Sequence, residues 1–222
     1  MTKRRLLALA TAALAVTSAA ALTANGASAT AARALDLHHV SWSSVMLPGA
    51  TCGSSRPIQL HRLRGARNVE STAFFSPIPK RWARDDFYGK RGVSVDAGWD
   101  PVVYGDLADS GHDDAGLVFD CNNGGGTADG VLLEGWVIFS GSAGRLTVVG
   151  IVTPRVQPAN VLPTLEEISI TPGKIVAHEV FYGPDDPTAG GSGRATTVWT
   201  YAHGRLHPGV PVITRHANTS PN

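Results

Sequence analysis

The densest group of side chains able to do chemistry lies in one stretch, Gly105-Asp-Leu-Ala-Asp-Ser-Gly-His-Asp-Asp114. Four carboxylates within nine residues could share a hard cation or divide acid and base roles between them. The spacing resembles the DxDxDGxxD loop of calcium-binding repeats, in which alternate acidic side chains converge on one ion. Asp106, Gly111 and Asp114 fall at the first, glycine and ninth positions. Ala108 at the third offers no oxygen, and Ser110 at the fifth is a weak ligand. Asp109 and Asp113 are extra carboxylates out of register. Calcium takes roughly six to eight oxygens, several of them anionic. The expectation is therefore a degenerate calcium loop, with Asp106, Asp109 and Asp114 as weak candidate ligands and no cofactor required.

Other chemistry is thinner. Ser110, His112 and Asp113 carry the letters of a nucleophilic triad, but residues this close in one loop rarely converge as nucleophile, base and orienter. No GxSxG elbow occurs. Gly124 to Gly126 precede a strand pattern and not a helix N-terminus, so they make no phosphate cradle. The eight histidines are scattered. No catalytic residue is assigned.

Cys52 and Cys121 are the only cysteines. They lack the CxxC spacing of a zinc site. In an oxidising compartment such a pair closes. The bond would span a loop of about 70 residues, worth about 4 kcal/mol in the chain-entropy model. Cys121 is expected to end a buried strand, and Cys52 to come from a first strand region beginning near Val40.

That compartment is implied by the N-terminus. Lys3, Arg4 and Arg5 precede an uncharged, Ala- and Leu-rich run over residues 6–22, and Ala27-Ser28-Ala29 supplies small residues before Thr30. This is the pattern of a secretory signal over residues 1–29, cleaved before Thr30. The apolar run is short and Ala-rich for a membrane span. No cysteine stands near the cleavage point, so no membrane anchor is expected afterwards. Cleavage leaves residues 30–222, and the formal net charge falls from +1 to −2 because three basic groups depart. Such a balance excludes nucleic acid and anionic lipid as partners held by a global field. Basic residues do crowd between Arg56 and Arg91 and aspartates between Asp85 and Asp120, a pattern expected of solvated surfaces or a mutual ion-pair network.

The elements that must position these groups read as strands. Leu117, Phe119 and Cys121 alternate, as do Val131, Leu133, Val137 and Phe139. Residues 145–152, 174–182 and 194–202 are rich in β-branched and aromatic side chains. Turn residues separate them: 141–144, Pro172-Gly173 and His203-Gly204 each mark a hairpin. No window past the signal sustains helical periodicity with caps. The expected fold is a mostly β, antiparallel sheet domain, a sandwich or open barrel, over residues 30–213. Residues 30–37 form a loose lead-in, 56–92 are less regular, and 214–222 make a flexible tail.

The run from Tyr104 through GDLADSGHDDAGLVFDC to Gly126, then Gly144-Arg-Leu-Thr-Val-Val-Gly150, Tyr182-Gly-Pro-Asp-Asp186 and Ser192-Gly-Arg-Ala-Thr-Thr-Val-Trp199, resembles uncharacterised actinobacterial secreted proteins similar to the LppP/LprE envelope lipoprotein family. The likeness spans roughly residues 94–206. It implies an extracytoplasmic, non-catalytic envelope protein with a cell-wall or extracellular ligand of unknown identity, and supplies no catalytic residues. The chain departs from the family in lacking a lipoprotein cysteine, and in reading Ala189-Gly-Gly-Ser-Gly-Arg-Ala195 where such proteins often read CCPSGRA. Two other readings compete. One is a secreted hydrolase working through Asp106, Asp109, Asp113 and Asp114; the other is a calcium-stabilised adhesion-type module. Convergent carboxylates in a deep cleft would favour the first, and a shallow aromatic face using Trp136 or Trp199 would favour binding.

Overall fold

The computed structural model describes residues 34–63, 71–75, 93–122, 131–156, 162–187 and 190–218. The described chain is built on strand β7 (Asp114–Asn122) and strand β8 (Val131–Ser140), which pair antiparallel in the middle of a seven-stranded sheet. Around them run β3 (His61–Arg62), β4 (Ser71–Phe75), β5 (Val93–Ala97) and β9 (Thr147–Val152), in the order β3-β4-β5-β7-β8-β9. The short β6 (Val103–Gly105) lies beyond β5 along the same edge of β7. Between them Gly98, at φ 75°, still donates to Val118 O at 3.1 Å, so β5 and β6 act as one interrupted strand.

A second sheet of five strands follows in chain order: β10 (Thr164–Thr171), β11 (Lys174–Phe181), β12 (Gly193–Ala202), then β13 (Arg205–Pro208) and β14 (Val212–Arg215), which share one edge of β12. All the pairings are antiparallel, and neither sheet closes into a barrel. The predicted hairpins are present, and their turn residues explain them. Thr171 pairs with Lys174 across Pro172 and Gly173; proline presets the first turn position and Gly173 takes φ 75° at the second, a type II turn. Ala202 pairs with Arg205 across His203 and Gly204. Both central residues have positive φ, 52° and 75°, the mirror-image turn whose twist suits a hairpin.

The larger sheet is covered on both faces, which is why β7 is buried almost from end to end. On one face Leu117, Phe119, Cys121, Val137 and Phe139 pack with Leu37, Trp42, Leu47, Cys52 and Leu60 of the N-terminal segment. On the other, Val118, Trp136, Ile138 and Val152 meet Leu165, Ile168, Ile175, Ala177 and Trp199 of the second sheet. Close approach there needs missing side chains. A Cβ on Gly116 would sit 2.9 Å from Ile168 Cδ1, and one on Gly150 would sit 3.0 Å from Leu206 Cδ1.

The N-terminal cover differs from the expected strand near Val40. It is a series of short 3-10 turns, Leu37–His39, Trp42–Ser44 and Gly49–Cys52, with one two-stranded ribbon of β1 (Met46–Leu47) and β2 (Ile58–Gln59). Cys52 closes the last turn, and Gly53 ends it at φ 70°. The Cys52–Cys121 disulfide is present, with Cα atoms 5.7 Å apart and both residues fully buried. It ties this segment to the centre of the sheet. Within the stretch expected to be irregular, β2, β3 and β4 are strands, and 64–70 and 76–92 lie outside the described residues. The expected tail at 214–222 begins too early: β14 runs to Arg215, and Asn218 donates from its backbone to Ser192 Oγ at 2.7 Å and from its side chain to Asp186 Oδ1 at 3.2 Å. The signal expected over residues 1–29 also lies outside the described residues, among which no helix is long and apolar enough to cross a membrane.

Candidate functional site

The Asp-rich loop connects β6 to β7, and its carboxylates are spent in different directions. Asp106 turns inward: Oδ1 accepts from Ser110 N at 2.8 Å and Oδ2 from Gly111 N at 2.6 Å. These bonds hold its carboxyl below the usual carboxylate range. Asp114 is buried, and Oδ2 accepts from Leu107 N at 3.0 Å. Burial pushes its carboxyl up despite hydrogen bonds from Ser140, Leu107 and Ala108. Asp109 occupies a left-handed turn position at φ 54°. Asp113 leaves the loop altogether, with Oδ2 2.9 Å from His38 Nε2. Asp106 and Asp114 thus close the loop through backbone N–H groups, the work an ion does in a calcium loop. Among the described residues no three His, Cys, Asp or Glu side chains are placed to share a metal ion. Ser110 Oγ bonds Asp106 and the carbonyl of His112, not the His112 ring, so the local triad does not form.

The Asp113–His38 contact opens onto something the sequence did not disclose. A cleft of 320 Å³ runs between the backbone of 34–38 and that of 111–113. Asp36 and His38 line one wall, and His112 and Asp113 the other. The His38 ring stacks on Tyr104, with centroids 3.9 Å apart and planes inclined by 23°. Tyr104 Oη in turn accepts from Trp42 Nε1 at 3.0 Å. Asp36 accepts from His38 N at 3.0 Å and lies 2.9 Å from His39 Nδ1; the backbone bond first, then His39, hold its carboxyl low. The wall bearing His38 is thus fixed by a relay from the core, Trp42 to Tyr104 to His38 to Asp113. His38 and Asp113 stand 75 residues apart, and no local pattern marks either as a partner of the other.

A second polar group lies in the larger sheet. Asp96, Asp120 and Glu134 sit directly opposite one another on β5, β7 and β8. Asn122 Nδ2 donates to both Asp96 and Asp120 at 3.0 Å. Glu134 Oε1 accepts from Leu165 N, at the start of β10, at 3.2 Å. Like charges side by side across strands are costly. Burial above all, opposed by the Leu165 N–H and reinforced by Asp120 and Asp100, pushes the Glu134 carboxyl up to about 7. Sequence reasoning missed this row because it exists only in the strand register.

Two further carboxylates are structural. Glu179 is fully buried; Oε2 accepts from Arg155 N at 2.7 Å and Val156 N at 2.8 Å, and Oε1 accepts from Thr197 Oγ1. It anchors the chain leaving β9 onto the second sheet. Asp186 gathers Gly183 N, Ser192 N and Ser192 Oγ within 2.9 Å. Trp136 and Trp199 do not form a surface aromatic face. Both are buried between the sheets, at 3% and 5% exposure, with indole N–H groups that find no partner among the described residues.

The chain matches no family model, no curated protein and no solved structure.

Proposed function

We propose that this is an exported, non-catalytic binding protein of the cell envelope or the medium, with its ligand site in the cleft beside His38 and Asp113. The carrying observation is that cleft, whose one wall is held in place by the stacked His38–Tyr104 pair and by Asp113. Its size falls at the lower end of small-molecule sites, roughly 300–1,000 Å³. The Asp-rich loop beside it spends Asp106 and Asp114 on its own backbone, which favours a scaffold over a reacting group. The signal-like residues 1–29, the disulfide and the likeness to the LppP/LprE proteins support export. A ligand-observed NMR screen of soluble wall fragments and small metabolites tests the reading. It predicts compounds that bind the wild type, bind Asp113→Asn poorly, and are recovered unchanged. Compounds that are converted contradict it.

One observation favours a hydrolase instead: Glu134, raised to about 7, directly opposite Asp120. A carboxyl poised near neutrality beside a second carboxyl is the arrangement of a general acid and its companion. This moves the acid–base chemistry from the Asp-rich loop to the sheet. Hydrolysis of any screened glycoside or ester by the wild type, abolished in a Glu134→Gln variant that remains folded, would establish it.

A further inference from the structure

We propose that the passage of the chain from the larger sheet to the second is clasped at both ends by carboxylates, and that one of them, Glu134, lets go of the start of β10 when it ionises. This stands apart from the binding reading above. The clasps are reciprocal. Glu179, on β11 of the second sheet, accepts from Arg155 N at 2.7 Å and Val156 N at 2.8 Å, where the chain leaves β9. Glu134, on β8 of the larger sheet, accepts from Leu165 N at 3.2 Å, where the chain enters β10. Leu165 and Glu179 lie directly opposite each other on β10 and β11, so both clasps close on one corner of the contact between the sheets.

The two ends are not held alike. Glu179 is fully buried and also takes the Thr197 hydroxyl, so three donors fix it. Glu134 is half-buried and holds Leu165 N through Oε1. Asp120 faces it directly on β7, Asp96 stands opposite Asp120 on β5, and Asp100 adds its charge from the loop after β5. On the second sheet, the Glu166 carboxylate lies 3.3 Å from Arg194 Nε, and Glu179 is engaged by its own donors. An ionised Glu134 would accept the Leu165 N–H more strongly. Burial and the facing carboxylates outweigh that bond and keep the carboxyl protonated up to about 7. In water the same charge meets neither cost, and a half-buried side chain reaches water by changing rotamer. The direction follows from linkage. A group raised in the folded state contributes fully below its ordinary value of 4.5 and loses that contribution as pH rises through about 7. The clasp is therefore closed in acid and open above neutrality.

The experiment follows the backbone amide signals of Leu165, Arg155 and Val156 in the isotope-labelled, oxidised protein from about pH 5 to about pH 8, together with the Glu134 carboxyl carbon. Release predicts that the Leu165 amide proton moves upfield, as on loss of a hydrogen bond, with the midpoint of the Glu134 carboxyl. Its hydrogen exchange, corrected for the intrinsic effect of pH, should quicken by at least about tenfold over that range. Arg155 and Val156 should keep their shifts and remain the slower to exchange. In Glu134→Gln the Leu165 signal should stay in place throughout. Should that variant not fold, Asp120→Asn decides: with the facing charge removed the midpoint must fall, and an unchanged midpoint overturns the proposal. A downfield move of Leu165 on ionisation would show the carboxylate gripping harder and overturns it too. So does a Leu165 signal that ignores the Glu134 titration, or one that moves in step with Arg155 and Val156, since the whole corner would then be loosening.

Discussion

At the scale of single residues, the protein's carboxylates separate by what surrounds them. Asp36, Asp106 and Asp186 accept backbone N–H bonds at the surface and are held low. Glu134 and Asp114 are desolvated and pushed up. The second kind makes a pH prediction with a definite sign. A group raised in the folded state binds its proton more tightly there, so its stabilisation is complete below its unfolded value of 4.5 and is lost as pH climbs through about 7. At about 1.4 kcal/mol per pH unit, the loss from Glu134 is on the order of 3 to 4 kcal/mol. Urea unfolding across that range should show stability declining, and Glu134→Gln should flatten the decline and be the more stable protein above neutrality. A variant that declines as steeply as the wild type would show that the Glu134 carboxyl is not raised in the folded protein. None of this was legible in the sequence. Asp96, Asp120 and Glu134 are scattered along the chain and become neighbours only through strand register. The Asp-rich loop, by contrast, was legible as a loop because its residues are contiguous and Gly111 supplies φ 77°. What its side chains do was not legible, because Asp113 answers to His38 far upstream.

At the scale of elements, the hairpins were readable and the N-terminal cover was not. Pro172-Gly173 and His203-Gly204 encode their turns by backbone preference alone, so a local reading suffices. Residues 37–52 have no period to detect, because short 3-10 turns expose and bury side chains irregularly. Their place is set by what they cover and by the disulfide. Replacing Cys52 and Cys121 by serine should cost about 4 kcal/mol in denaturant unfolding and should release the 34–38 wall, collapsing the cleft. A loss below about 1 kcal/mol would mean that the apolar contacts of Leu37, Trp42 and Leu47 hold the segment unaided. The sheet-to-sheet contact makes a sharper forecast. Gly116→Ala puts a methyl 2.9 Å from Ile168 Cδ1 and 3.3 Å from Trp136 Cε3, and overpacking of this kind costs about 1–3 kcal/mol. Gly190→Ala, with open space around its would-be Cβ, is the control and should leave unfolding unchanged within about 0.5 kcal/mol.

At the scale of the molecule, the larger sheet is the organising layer: the N-terminal cover lies on one face and the second sheet on the other. Asp106 and Asp114 close the Asp-rich loop by their own hydrogen bonds to its backbone, and we propose that the loop needs no ion to hold its shape. Melting temperature should therefore hardly differ between chelator and millimolar calcium. A rise of about 5 °C or more, abolished by Asp106→Ala, would mean that calcium belongs to the native protein. The proposed place of action rests on one expected event, export with cleavage ahead of the N-terminal cover. Residue 34, the first of the cleft wall, follows the expected cleavage point by only a few residues. Non-reducing peptide mapping of the protein recovered from culture medium tests this most directly. The account predicts a chain that starts at or beside Thr30 and yields a single cross-linked peptide pair carrying Cys52 and Cys121. A chain found only in the cell, still starting at Met1 and with both thiols free, would contradict it.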